Sequence, residues 1–221
     1  PFPNNMLLQP NYTYTVPAPP TDEVVDYDGN VYTTVVIGTQ EWLVENLKTT
    51  HYNNGDPIPT GCSSAEWTGL EDGAYAIYNE YAPNVYTYGY LYNWYAVDDA
   101  RGICPDGFHV PTDAEYTQLT DFLEGSSVAG GKMKEEGFAH WNSPNTGATN
   151  ESGFTALPGG YRNYNTGYYS HKFNYGFFWS ATANDSNNAW NRYLSYNNSN
   201  VYRNLTNMKG GFSVRCMRNL S

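Results

Sequence analysis

The chain has 221 residues, a formal net charge of −11 and only 11 Lys and Arg, so it can bury a core but offers no basic patch for phosphates. We therefore expect no nucleic-acid partner. Charged residues make up 15% of the chain and 22 residues are Tyr, a balance that favours an extracellular or cell-surface location. No apolar run approaches the roughly 20 residues of a spanning helix, so we expect no membrane span.

The first 22 residues form a proline-rich segment. Six prolines disfavour helix and central strand there: Pro1, Pro3, Pro10, Pro17, Pro19 and Pro20. Residues 1–22 are predicted to be an extended arm or linker, followed by one domain at 23–221. Two interpretations stay open. The arm adds to a neighbouring copy and builds a homo-polymer, or it folds back on its own domain.

Short strands and one helix are predicted next. Residues 31–37 (VYTTVVI) and 41–44 (EWLV) are typical of strands, and 153–160 of a strand and turn. Residues 89–97 could form a strand or a short helix. A helix would place Leu91, Trp94 and Tyr95 on one face.

The clearest helix follows Pro111. Thr112 and Glu115 form a capping-box pattern, and Gly125 ends the helix. Its buried face is predicted from helical spacing as Tyr116, Leu119, Phe122 and Leu123. Capping the helix explains why Asp113 and Glu115 are acidic, so neither residue needs a catalytic role.

The segment 178–218 begins with the apolar pair Phe178-Trp179 and ends with the apolar run 212–216. Its middle is rich in Asn, Tyr and Ser and cannot form a core of its own. We expect two buried strands that hold a polar recognition surface between them. Few helices among many short strands predict an α+β fold.

Six blocks of sequence resemble the Fibrobacter succinogenes major paralogous domain, a family found mainly in secreted and surface proteins of bacteria. They are VYTTV, IGTQEW and ENLKTT at 31–50, then YGYLYNWYA at 88–96, CPDGFHVPTDAE at 104–115, LPGGYR at 157–162, WSAT at 179–182 and GFSVRC at 211–216. The blocks also look like a remote version of the formylglycine-generating-enzyme fold. The resemblance therefore implies a C-type lectin-like fold with a small twisted antiparallel core and long loops.

The three cysteines form no CxxC motif, so neither a zinc site nor a redox pair is expected. The resemblance implies a disulfide between Cys104 and Cys216, which would join the segment before the helix to the last strand. Cys62 has no obvious mate.

Catalysis and cofactors are not expected. Formylglycine-generating enzymes use a late cysteine pair, and residues 159–182 contain no cysteine. No histidine has a metal-binding partner at helical spacing, and His109 is interpreted as structural. A hydrolase based on two carboxylates stays open, because such pairs meet only in space. A calcium-dependent lectin site lacks support, since Gln9-Pro10-Asn11 lies in the arm and Trp190-Asn191-Arg192 lacks an acid.

Nine of the 24 residues at 184–207 are Asn. This density resembles the variable region of retroelement-diversified binding proteins, although Asn is also a common loop former. We predict a non-catalytic extracellular module, either adhesive or a subunit of a surface filament, with a protein or glycan ligand. A sugar-binding lectin or carbohydrate-active enzyme is a further alternative. The ligand would contact Trp190, Asn191, Tyr193, Tyr196, Asn198, Asn200, Tyr202 and Asn204.

Overall fold

The computed structural model describes residues 23–220 and shows a mixed α+β fold. The arm predicted at residues 1–22 lies outside the described residues, and so does the homo-polymer contact predicted for it. The strands are β1 Val24–Val25, β2 Val31–Tyr32, β3 Thr34–Ile37, β4 Gln40–Leu43, β5 Tyr75–Ala76, β6 Leu91–Tyr92, β7 Tyr161–Arg162, β8 Tyr169–Ser170, β9 Tyr175–Ala183, β10 Asn188–Ser195, β11 Val201–Asn207 and β12 Met217–Asn219. The helices are α1 Ser64–Gly69, a 3₁₀ turn at Tyr78–Glu80, α2 Asn84–Tyr88, α3 Trp94–Val97, α4 Asp113–Phe122 and α5 Ala129–Met133.

Two three-stranded antiparallel sheets organise the described chain, with strand orders β11-β10-β9 and β12-β4-β3. Three two-stranded ladders accompany them: β1-β2, β5-β6 and β7-β8. The central strand β10 is paired on both sides, so its side-chain directions are fixed on both faces of the sheet.

Some predicted strands differ from the observed ones. The strand predicted at 31–37 divides at Thr33, whose N–H and hydroxyl both donate to the Glu45 carboxylate at 2.9 Å. On either side of Thr33, β2 pairs with β1 and β3 pairs with β4. Residues 89–97 contain both a strand, β6, and a helix, α3, while 153–160 contribute only isolated bridges. The ends of these strands depend on which strand each one pairs with. A local pattern of apolar residues does not reveal the pairing partner.

The helix predicted after Pro111 is confirmed as α4. The Thr112 hydroxyl accepts from the Glu115 amide, and the Glu115 carboxylate accepts from the Thr112 amide. Tyr116 and Leu119 are buried as expected. Leu123 is buried as expected too, whereas the expectation for Phe122 was wrong, because the helix ends at that residue and its ring is exposed.

The segment 211–219 joins the separate ladders. Phe212 bridges Tyr92, Ser213 bridges Phe178, and Met217 pairs with Trp42 while also bridging His109. Within the same segment, Cys216 forms the disulfide with Cys104 that the family resemblance implied. Cys62 is a free, half-buried thiol.

Arg215 is fully buried. Its guanidinium donates to the carbonyls of Leu43 and Phe154 and to the Asn46 side chain, and it stacks 4.4 Å from the Phe154 ring. Burial lowers the pKa of Arg215 to about 10, so it remains charged at neutral pH. Hydrogen bonds compensate the charge, and the Glu45 carboxylate also favours it, so one side chain joins residues 43–46 and Phe154 to the segment that contains Arg215.

Candidate functional site

The Asn- and Tyr-rich sequence forms the hairpin of β10 and β11. Successive residues of a strand point to opposite faces of its sheet. Tyr193 lies opposite Tyr202 on β11 and opposite Phe177 on β9, so these three rings share one face. The neighbouring pair, Arg192 opposite Arg203, lies on the other face. The hairpin therefore has an aromatic side and a charged side.

The rings of the aromatic side form a continuous row. Tyr193 and Tyr202 stack with centroids 4.5 Å apart, and Phe177 stacks with Tyr193 at 5.1 Å. Phe177 also stacks with the buried Phe212 at 4.8 Å, while Tyr161 meets Phe177 edge-on at 5.1 Å. We call Tyr161, Phe177, Tyr193 and Tyr202 the aromatic face. All four rings are partly exposed, so they are held by the core but remain accessible from solvent.

Burial, together with the neighbouring Tyr202 and Tyr175, raises the pKa of Tyr193. Its hydroxyl therefore stays protonated at neutral pH and can both donate and accept a hydrogen bond.

A pocket of about 190 Å³ opens at the end of the aromatic face. We call it the aromatic pocket, and it is lined by Tyr161, Arg162, Asn163, Tyr164, Phe177, Thr206, Gly210 and Phe212. Drug-sized ligands occupy sites of roughly 300 Å³ or more, so this pocket fits one ring or one small substituent.

Two polar residues of the aromatic pocket have their acceptor atoms occupied. Asn163 Oδ1 accepts from the backbone amides of Asn165 and Thr166 at 2.8 and 3.0 Å. Thr206 Oγ1 accepts from the side-chain amides of Asn191 and Asn204 at 3.0 and 3.2 Å. The groups still available to a ligand are therefore donors, the Nδ2 amide of Asn163 and the hydroxyl proton of Thr206.

The opposite face of the hairpin is tied to α4 by charge. Asp113 receives hydrogen bonds from Arg192 at 2.6 Å and from Arg203 at 2.9 and 3.0 Å. Arg203 also lies over the Trp190 ring at 3.2 Å. Burial alone would raise the pKa of Asp113, but the hydrogen bonds and charges of Arg203 and Arg192 outweigh it and lower the pKa. This face orients the hairpin rather than offering open aromatic surface.

The loop between β10 and β11 is anchored by the fully buried Lys134. Its ammonium donates to the carbonyls of Ser195, Asn198 and Thr146 at 2.9, 2.9 and 3.0 Å. Burial lowers the pKa of Lys134 to about 8, which leaves the group largely protonated at neutral pH. One buried cation therefore fixes the conformation of a polar loop.

The family model of the Fibrobacter succinogenes major domain matches residues 35–218. The chain belongs to this family. No match was found among curated proteins or among solved structures. The name of this family describes no activity. The function of the domain therefore has to be inferred from the side chains of the chain itself.

The structure divides the eight predicted ligand-contact residues of this domain among four places. Tyr193, Tyr202 and the exposed Asn204 lie on or beside the aromatic face. Trp190 lies on the opposite side beneath Arg203. Asn191 is fully buried, so it supports Thr206 and does not reach the surface. The remaining residues belong to or flank the anchored loop: Tyr196, Asn198 and Asn200.

Several residues of the candidate site were missed by the sequence analysis. Tyr161, Asn163 and Tyr164 are distant from the hairpin in sequence, and they join it because Arg162 bridges Gly211 while Gly160 bridges Gly176. The dense Tyr and Asn content of 161–169 was the only local signal that could have indicated them.

Neither a metal centre nor a membrane helix is seen in the described part of this domain. Among residues 23–220, His, Cys, Asp and Glu form no group of three or more that could hold a metal ion. Within the same residues, no helix has the length and apolar character needed to cross a bilayer. His109 donates to or accepts from Glu115 at 2.9 Å, next to the capping box of α4. The absence of catalysis and of cofactors stays a prediction.

Proposed function

We propose that the protein is a non-catalytic extracellular recognition module that binds its ligand through the aromatic face. The observation that carries this proposal is the row of partly exposed, mutually stacked rings running from Tyr202 to Tyr161 beside a small pocket. Aromatic rings provide a large contact area at low entropic cost, and Tyr adds a hydroxyl that can hydrogen-bond. The role is adhesion to a surface-displayed partner.

The rigidity of the support favours binding over a purely structural role for these rings. The aromatic face stands on β9, β10 and β11, and Phe212 supports it from the buried side. A preorganised surface loses little conformational entropy when a ligand binds. The four rings pack on the core or on one another and still keep exposed area, so together they form one contiguous aromatic patch that a ligand can cover.

An extracellular location agrees with the disulfide between Cys104 and Cys216, since such bridges persist mainly in oxidising compartments. We also propose that the scaffold is of the C-type lectin-like type that the family resemblance implied. The rival role, a filament subunit that donates residues 1–22 to a neighbour, is kept as a second proposal, because open polar sheet surfaces also suit subunit contacts.

The proposal is tested with fluorescently labelled protein on an array of purified glycans and extracellular proteins. We expect specific capture that falls at least about tenfold when Tyr193→Ala and Tyr202→Ala are combined, which corresponds to a loss of about 1.4 kcal/mol or more. Tyr86→Ala is the matched control, because Tyr86 is 86% exposed and lies in α2, outside the aromatic face. Undiminished capture by the double variant would refute the proposal, and so would a wild-type protein that binds nothing on the array.

A further inference from the structure

The polar groups that are still free to hydrogen-bond in the aromatic pocket indicate which kind of ligand it accepts. This inference rests on the proposed function. Asn163 is the first indication. Its Oδ1 already accepts from two backbone amides, Asn165 N–H and Thr166 N–H, which fixes the orientation of the side-chain amide. Its Nδ2 group has no hydrogen-bond partner among residues 23–220. Asn163 therefore offers a ligand a donor and not an acceptor.

Thr206 is the second indication, from a different strand. Its hydroxyl oxygen accepts from the amides of Asn191 and Asn204, so both lone pairs are used. This holds for the orientation in which Asn191 turns its Nδ2 toward Thr206 and its buried Oδ1 has no partner among residues 23–220. A threonine hydroxyl has one proton and two lone pairs, and the proton is the part that remains. Asn191 is fully buried and holds Thr206 in place, while Thr206 itself lines the pocket.

The pocket combines these donors with apolar walls and no exposed charge. Phe177, Phe212 and Tyr161 supply the aromatic surfaces. Arg162 also lines the pocket, but it is 2% exposed, and its guanidinium is occupied because it donates to the Cys62 and Gly167 carbonyls and stacks over Trp67. Because Arg162 follows Tyr161 in β7, strand alternation directs its guanidinium away from the Tyr161 ring, toward Cys62 and Gly167. An ionic ligand would lose its hydration without gaining a counter-charge.

We propose that the aromatic pocket binds the acetamido group of a neutral N-acetylated amino sugar. The acetamido carbonyl accepts hydrogen bonds from Asn163 Nδ2 and from the Thr206 hydroxyl. The acetamido methyl packs against the rings of Phe177 and Tyr161, and the sugar ring extends along the aromatic face. A carbonyl that accepts and a methyl that packs match a small pocket with two donors and aromatic walls, and a cavity of about 190 Å³ suits this substituent.

The test compares two soluble probes that differ only at carbon 2, the methyl β-glycosides of N-acetylglucosamine and of glucose. Affinities are measured by titration with NMR detection on the full chain. We expect the N-acetylated probe to bind about tenfold more tightly, as expected for about 1.4 kcal/mol of added interaction. Equal affinity for the two probes would overturn the inference.

Variants of Thr206 make the test specific for the hydroxyl. Thr206→Val keeps the shape and removes the donor, so the preference for the N-acetylated probe should fall to about threefold or less, and Thr206→Ser should restore it. The thermal unfolding midpoint of each variant identifies any loss caused by unfolding. A preference that survives in folded Thr206→Val would contradict the assignment.

The two proposals fail differently. If array capture depends on Tyr193 and Tyr202 but neither glycoside is preferred, the acetamido assignment is wrong and the recognition function stands. If the aromatic-face variants leave all capture unchanged, both are wrong.

Discussion

Tyr193 and Tyr202 face each other across the β10–β11 hairpin with their ring planes only 11° apart and their centroids at 4.5 Å. The two residues are a cross-strand pair, which places their rings in parallel contact at the middle of the Asn-rich segment. The rings pack on one another and remain partly exposed, so the pair combines a contribution to stability with the recognition role that we propose.

The stability role of this pair should be modest. We expect Tyr202→Ala to lower the free energy of unfolding by about 0.5–1.5 kcal/mol, since a cross-strand aromatic contact is lost from a half-exposed position. Tyr202→Phe keeps the ring and should cost much less. Urea denaturation measures both. A loss of several kcal/mol for Tyr202→Ala would show that the ring belongs to the core and would weaken its assignment to a binding surface.

Removing the disulfide should have a larger effect. Cys104 and Cys216 are 112 residues apart, and closing a loop of this size restricts the unfolded chain strongly. We expect the Cys104→Ala, Cys216→Ala double variant to lose about 3–5 kcal/mol in chemical denaturation. Cys62→Ser serves as the control for cysteine removal and should change stability far less. Equal stability of wild type and double variant would contradict a structural role for the bridge.

Lys134 should control the order of the hairpin loop. Lys134→Met leaves the carbonyls of Thr146, Ser195 and Asn198 without their shared donor. We expect a loss of about 2–4 kcal/mol, since each buried acceptor without a partner is costly. Hydrogen exchange should accelerate at 195–200 in particular. Lys134→Arg keeps the charge and is the comparison variant. Unchanged protection of this loop in Lys134→Met would rule out the anchoring role.

Asp113 should make the orientation of the hairpin sensitive to acid. Its pKa in the folded state lies below the value of 3.8 in a model peptide. The stabilisation is therefore fully present above about pH 4 and is lost as the pH falls through the folded-state pKa. Asp113→Asn should lose about 1–3 kcal/mol at pH 7 and show a weaker acid dependence than wild type. Parallel pH profiles for the two proteins would disprove the link.

The arm at 1–22 can be tested by deletion. The filament proposal predicts oligomers in the full chain and a monomer in the chain that begins at Glu23, measured by light scattering coupled to size exclusion. A full chain that is already monomeric at high concentration would exclude assembly through the arm.

Local signals in the sequence predicted local structure well. Thr112 and Glu115 predicted the start of α4, because a capping box involves residues only three positions apart. The disulfide between Cys104 and Cys216 followed from the family resemblance and not from spacing.

Long-range contacts decided what the sequence could not show. Asn191 has the composition of a surface residue, yet the pairing of β10 with both β9 and β11 buries it completely. Tyr161 enters the candidate site only because β7 lies against the segment that contains Gly211. Alternation along one strand assigns side chains to two faces, but tertiary packing decides which face stays open.

The central claim is that a ligand covers the aromatic face, and oxidative footprinting of tyrosines tests it most directly. The protein is oxidised alone and with saturating amounts of the array component that it binds most tightly, and modified residues are located by mass spectrometry. We predict protection of Tyr161, Tyr193 and Tyr202, with unchanged oxidation of the exposed Tyr86 and Tyr81. Equal oxidation of Tyr161, Tyr193 and Tyr202 in the free and bound protein would contradict the claim.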